Sequence, residues 1–424
     1  MAADPRRPDV LIVGAGTAGA AAALFCARRG LSVVCLDRRP LDEAGARWVN
    51  GVPRWVFGAV GLAPPLPPEE RSRGVPFRMV AGWDGPQVLL AEHDLLEVDM
   101  RALVRRLQAE AQAAGATLSG ETPVESWDGE TARTPAGDLI PKVIVDASGL
   151  GGTIWPLAAP RETLCAAAAE ERALLDPQAA KHFFESRGAQ LGDTLSFTGV
   201  AGGYSIVNVR AADGHVTLLT GSIPAQGHKP GVVLLNEFVA SQPWIGERLY
   251  GGARAVPLDL PAAVVGEANR ARLGDAAGQV FSSHGSGIAQ GLLAAHLLAE
   301  CLASGGGVEA YNLRFQRASA GALAAQVIFR RFSMSLTPEE TCTLFAAAVV
   351  RPAVAKLVLT QRPPWQAPFA LLAGMPGLAR APGLAARLVP ALARMGAVEA
   401  LHRVYPSEAA LVAGWEERRR GVVG

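Results

Sequence analysis

Apolar positions first form an unbroken run, Val10 to Val13, of the kind that a strand buried on both faces requires. Gly14-Ala15-Gly16-Thr17-Ala18-Gly19 follows at once, then an alanine-rich helical stretch, then a second apolar run from Leu31 to Leu36 that ends on Asp37. This order predicts strand, turn, helix, strand. Residues 10–27 hold no charge and have the hydropathy of a membrane span or signal sequence. Three glycines at turn spacing, with no small-residue cleavage site, argue against both.

Further along, Gly45 to Gly51 is too irregular for a long element, and Pro53 opens a short helix ending near Gly61. Residues 63–76, rich in proline and charge, read as a surface loop. Short strands are expected at Phe77–Val80 and Gln87–Leu90. Leu103, Leu107, Ala111 and Ala114 recur at helical spacing, with Gly115 as a C-cap. Residues 117–140 read as a small β excursion, and Lys142 to Val145 as another buried strand leading into Asp146-Ala147-Ser148-Gly149. From 160 to 265 strand-like runs recur between turn signals, with one helix near Gly231 to Ala240. That pattern predicts a mostly antiparallel sheet. A glycine-rich loop at 274–287 then precedes a long apolar helix, and from about residue 309 the chain reads as helical, broken by prolines.

The turn has a physical logic. Gly14 permits a tight strand-to-helix turn, Gly16 lets backbone approach a pyrophosphate, and Gly19 lets helix and strand pack closely. The helix start at Thr17 and Ala18 offers N–H groups and a positive dipole end to phosphate. Asp37, followed by Arg38, stands where a carboxylate accepts hydrogen bonds from a ribose diol. A dinucleotide is therefore the expected ligand.

Composition sharpens this only at the edges. A net charge of +1 over 424 residues gives no general pull towards nucleic acid. Five cysteines, at 26, 35, 165, 301 and 342, are odd in number and lack a C-x-x-C pair. They suggest no disulfide framework or zinc site, and a reducing, cytoplasmic compartment. No metal-ligand spacing, targeting segment or fixed-period repeat is evident. Past residue 350, ten basic residues stand against four glutamates. Arg380, Arg387 and Arg394, seven apart, fall on one helical face and suit either the anionic inner face of a membrane, contacted peripherally, or plain solvent.

Three motifs in fixed order carry a resemblance over residues 8–305: GAGTAG with Asp37, VDASG at 145–149, and LGDAAGQVFSSHGSGIAQG at 273–291. The chain resembles glutathione-reductase-type flavoproteins of the p-hydroxybenzoate-hydroxylase branch, and within it the geranylgeranyl reductases. The resemblance implies FAD. Gly14, Gly16, Thr17, Ala18, Gly19, Asp37 and Arg38 would hold its ADP half, and Asp146 and Gly149 would bind the cofactor as well. Gly274 and Asp275 would hold the ribityl and pyrophosphate region, and Gly285, Ser286, Gly287 and Ile288 would approach the flavin ring. Arg101 either contacts FAD, as an arginine often does in that branch, or is an ordinary helix-face residue. The implied fold is α/β: a Rossmann-like FAD-binding domain (residues 8–75, 98–158 and 268–308), an inserted mostly antiparallel β-sheet substrate domain (76–97 and 159–267) and a helical C-terminal region (309–424).

Asp146-Ala147 and Gly278 match the reductases better than the aromatic hydroxylases, and the flavin halogenases' lysine and WxWxIP segment are missing. The chain also departs from those reductases. Trp48 stands where their loop cysteine would be. The substrate sheet keeps Tyr204 without the accompanying tryptophan and Phe-Pro, and Ser282-Ser283-His284 replaces a usual proline. Tyr204 and His284 are the candidate catalytic groups, each with a plain structural alternative; Trp48 and Tyr204 are candidate substrate-pocket residues. Phe329, Phe332, Leu344, Phe345, Trp365, Phe369 and Leu371 suit the cover of an apolar tunnel. The resemblance implies reduction of C=C bonds in an isoprenoid or lipid-like substrate, fed by an external donor such as NAD(P)H or ferredoxin. The alternatives are a flavin monooxygenase acting on an aromatic or polyketide-like compound, and a non-redox FAD-dependent cyclase or flavin-binding protein.

Overall fold

The first apolar run is β1 (Val10–Val13), buried at all four positions. The computed structural model describes residues 6–156, 159–362 and 381–424, with residues 369, 374, 376, 377 and 379. Helix α1 (Thr17–Ala27) follows, buried without break from Gly19 to Ala27. Its alanines allow close packing between two other helices. β2 (Val33–Leu36) returns parallel to β1.

β3 (Val49–Pro53), α2 (Trp55–Ala59) and β4 (Glu70–Arg73) come next. β4 corrects the reading of residues 63–76 as a surface loop, and β3 is a short strand that begins at the end of the irregular 45–51 stretch. Both flank β7 (Leu95–Asp99) in a three-stranded sheet, so pairing imposes the strand where local alternation is too short to announce it. Between them in sequence lie β5 (Phe77–Ala81) and β6 (Gln87–Leu90). α3 (Met100–Ala113) is capped by Asp99, whose carboxylate accepts from the Arg101 N–H at 3.0 Å.

β8 (Thr117–Ser119), β9 (Ser126–Trp127), β10 (Ala132–Arg133) and β11 (Val143–Asp146) make up the β excursion and the strand after it. Next come β12 (Leu164–Leu174), α4 (Pro177–Glu185), β13 (Thr194–Thr198), β14 (Ser205–Ala212), β15 (His215–Ser222), α5 (Gly231–Ala240) and β16 (Ile245–Pro257). β17 (Gly266–Glu267), β18 (Arg270–Arg272) and α6 (Ile288–Ala303) complete the framework.

Two large sheets result. One has the order β17-β18-β11-β1-β2-β8, parallel except at β17, with α1 packed between α3 and α6. The other has the order β16-β12-β15-β14-β13-β5-β6 and is antiparallel except where β5 pairs parallel to β13. β12 carries four successive alanines, a helix-like composition, yet is a strand hydrogen-bonded on both sides. Its small side chains let α5 lie close: a Cβ on Gly231 would stand 2.4 Å from the Ala166 carbonyl oxygen. β14 alternates strictly, with Val207 and Val209 facing a core that includes Phe183, Phe197, Phe238 and Trp244. Ile206, Asn208 and Arg210 face the other way.

The C-terminal third is helical: α7 (Gly307–Phe315), α8 (Gly321–Met334), α9 (Pro338–Ala346), α10 (Pro352–Leu359), then helices Pro382–Arg403 and Val412–Val423. No helix among the described residues is long and apolar enough to cross a membrane. Arg387 is engaged within the chain, donating to Glu340 on α9 and to the Ser335 carbonyl, while Arg380 lies outside the described residues.

His402 is 1% exposed, its ring edge-on to Trp415, with one nitrogen unpartnered. Burial, assisted by Arg419, pushes its imidazole down to about 3. An unfolded histidine protonates near about 6.5, so the fold excludes a proton that the unfolded chain binds. Its contribution is complete above that value and is lost as pH falls towards 3. Glu399 acts in the opposite sense, because burial pushes its carboxyl up to about 7. The expected result is therefore a difference: His402→Phe gains about 2–3 kcal/mol on the unmodified protein between pH 7.5 and 4.5. Parallel denaturant titrations at the two pH values measure it.

Candidate functional site

The first turn closes as its glycines require. Gly14 has φ +105°, its N–H donates to the Leu36 carbonyl at 2.7 Å, and a Cβ there would lie 2.4 Å from the Ala147 carbonyl oxygen. A Cβ on Gly19 would lie 1.8 Å from the Gly14 carbonyl oxygen. Asp37 stabilises the turn as well as facing it. Its carboxylate accepts from the Ala15 N–H at 2.8 Å and the Arg39 N–H at 2.9 Å. Arg38 beside it is exposed. Gln108, from α3, donates to the Ala15 carbonyl at 3.0 Å and the Leu41 carbonyl at 2.9 Å. Sequence reasoning missed this brace; its one signal is a glutamine next to Leu107 on the apolar side of an amphipathic helix.

The second glycine-rich segment lies against the first. Cβ atoms placed on Gly274 or on Gly291 would each come within 3.2 Å of the Ala18 side chain, at the start of α1. Gly16 likewise meets Gly45, whose carbonyl accepts from Arg254 at 2.9 Å. Burial pushes the Asp275 carboxyl up, while Arg254 pulls it down. Gly45 and Arg254 were also missed, for they lie in neither motif.

Asp146 is buried and its carboxylate is engaged by four donors of its own loop: the Ser148 N–H and hydroxyl and the N–H groups of Ile154 and Trp155. It shapes the loop under the Gly14 turn, and Gly149, with φ +84°, continues that loop. Arg101 pairs with Asp99 at 2.7 Å and lies 3.4 Å over the Tyr250 ring, whose hydroxyl donates to Glu171 at 2.7 Å.

At the other end of the site, Gly285 has φ +75°, and a Cβ on it would stand 2.8 Å from the Tyr204 hydroxyl. The loop and the substrate sheet thus meet at the two residues singled out from sequence. Ser286 lies beside them, and Gly287 is the N-cap of α6, which begins at Ile288. Burial pushes the His284 imidazole down to about 4 and holds it neutral. It pushes the Tyr204 phenol well up, so that it stays protonated. His284 Nε2, Ser283 Oγ, Ser286 Oγ and Trp48 Nε1 are buried without partners. Unpaired buried polar atoms are costly, and three on one loop with a fourth in the wall of the same cavity fit the polar rim of a flavin ring. With the two-sided glycine cradle, the residues present suit FAD.

These groups line a cavity of about 480 Å³. Its floor is the sheet face bearing Ile206 and Asn208, and its roof includes Phe329 of α8, Leu344 and Phe345 of α9 and Leu388 of helix Pro382–Arg403. Phe332 also lines it, Phe369 is exposed, and Trp365 and Leu371 lie outside the described residues.

Residues 9–67, from β1 through α2, match the family model described as FAD dependent oxidoreductase. Digeranylgeranylglycerophospholipid reductase 2 of Methanothermobacter thermautotrophicus is 27% identical over 368 residues, covering 78% of this chain and 89% of that protein. The chain is an FAD-dependent oxidoreductase. In three dimensions the oxidoreductase is similar to a geranylgeranyl bacteriochlorophyll reductase-like protein of Thermoplasma acidophilum. The TM-score is 0.70 at 14% identity, over 89% of this chain and 99% of that one. It is also similar to the flavin-dependent brominase Bmp2, with TM-score 0.60 at 14% identity, over 88% of this chain and 99% of that one. At such identities the likeness establishes the α/β flavoprotein fold.

Proposed function

We propose that this oxidoreductase saturates C=C bonds of an isoprenoid or similar lipid-like substrate. The observation that carries the reading is the cavity: it starts at the Gly285–Tyr204 junction and extends under an apolar helical roof. When bound, FAD supplies hydride. Gly14, Gly16, Thr17, Ala18, Gly19, Asp37, Gly274 and Asp275 would grip it, and the loop at Gly285, Ser286 and Gly287 would flank its reactive end, with Trp48 as a wall. Tyr204 holds a proton at its hydroxyl beside that loop. His284, neutral, offers a second hydrogen-bonding group there. The apolar roof excludes water and orients the chain of the substrate. An external carrier, NAD(P)H or ferredoxin, would deliver the electrons.

The test begins with anaerobic photoreduction. Polyprenyl compounds should restore the flavin absorbance and emerge with fewer double bonds. Ile206→Trp, which places an indole on the cavity floor, should slow that recovery by roughly a hundredfold and leave flavin content unchanged. Recovery by none of a broad polyprenyl panel, together with oxygen uptake on adding an aromatic compound, would replace this reading with a monooxygenase.

A further inference from the structure

Two unpartnered polar side chains in the cavity, Gln326 and Asn208, are left over once the flavin loop is accounted for. Gln326, on α8, lines the roof; it is 1% exposed, and neither its amide nitrogen nor its amide oxygen has a partner. It lies in none of the flavin motifs. On the floor opposite, Asn208 lines the same cavity and its side-chain oxygen is also buried and unpartnered. A buried amide with both donor and acceptor open is costly unless something is brought to it.

The charge of the wall narrows what that is. Among the described residues that line the cavity, the charged side chains are Glu97 and Arg210, which pair with each other at 3.2 Å. The two histidines in the wall, His93 and His284, are both pushed towards the neutral form by burial. Among these described residues, no free cation faces the space to hold a phosphate or carboxylate. An open donor and an open acceptor on one amide match a group that both donates and accepts.

We infer that Gln326 is a substrate-recognition residue, and that the cavity takes an uncharged lipid-like molecule whose hydroxyl is read by the Gln326 amide. This deepens the proposed function and rests on it for the apolar part of the ligand. The side-chain torsions of a glutamine let its amide turn to the hydroxyl without backbone movement.

Binding to the FAD-loaded enzyme is measured by flavin fluorescence with three probes of one chain length: geranylgeraniol, geranylgeranyl phosphate and the hydrocarbon in which hydrogen replaces the hydroxyl. The alcohol should bind at least about tenfold more tightly than either of the others. Gln326→Leu, or Gln326→Met if the first does not fold, should bring the alcohol down to the affinity of the hydrocarbon. Flavin content should be retained and the melting temperature unchanged or raised, since an unsatisfied amide has been removed. Tightest binding by the phosphate overturns the inference, as does an alcohol preference that survives both substitutions. Failure of all three probes to bind overturns both this inference and the isoprenoid reading. Alcohol binding that depends on Gln326 but never restores the absorbance of reduced flavin supports the inference and removes the reductase reading alone.

Discussion

Gly14→Ala should yield a protein with no bound flavin. The substitution asks alanine to adopt φ +105° and drives a Cβ to 2.4 Å from the Ala147 carbonyl oxygen, a backbone atom that cannot swing aside. The conformational strain alone costs about 1–3 kcal/mol. The clash must be relieved by moving the turn or the 146–149 loop, and either movement disturbs the pyrophosphate cradle. Gly61→Ala is the matched control. Gly61 also has positive φ, +67°, but nothing lies within 4 Å of a Cβ there. It should lose about 1–2 kcal/mol of stability and keep its colour. The ratio of flavin to protein absorbance, read on both variants after reconstitution with excess FAD, decides the matter.

Arg330→Met should make the protein more stable and less active. Arg330 is 1% exposed, its Nε has no partner, and its nearest polar contact is the Met334 sulfur. Among the described residues no carboxylate lies within ion-pair distance of it, and burial pushes its guanidinium down from its ordinary range. Replacing a poorly compensated buried charge with an apolar side chain of similar length typically gains about 1–4 kcal/mol, visible as a melting point several degrees higher. The same guanidinium lowers the proton affinity of Tyr204, which burial otherwise raises. On the proposed reading, losing it leaves Tyr204 a poorer proton donor and reduces turnover at unchanged flavin content. A variant that melts lower than the unmodified enzyme would show that Arg330 is a structural support.

Those two residues mark what sequence can and cannot disclose. Gly14 is legible because its requirement is local: the strand before it, the helix after it and Asp37 all fall within 28 residues. The same locality made the loop at Gly285 legible, and α5 was read to its ends. Arg330 and Gln326 carry no such mark. Each is one polar residue in a helical stretch, and only the packing of α8 against the rest of the chain buries them. β12 shows the same dependence on partners, since the helical preference of its alanines yields to hydrogen bonding with strands on both sides. β3 and β4 were hidden because their partner, β7, is what makes them strands. The brace from Gln108 depends on where α3 docks, which no spacing discloses.

The parallel pairing of β5 with β13 has a consequence for biosynthesis. Strands Phe77–Ala81 and Gln87–Leu90 can form a hairpin as soon as they leave the ribosome, but the other neighbour of β5 lies more than a hundred residues further on. Until that stretch is made, the nascent hairpin presents an unpaired apolar edge. Slowed translation between these segments should therefore lengthen the time during which the newborn chain needs a chaperone.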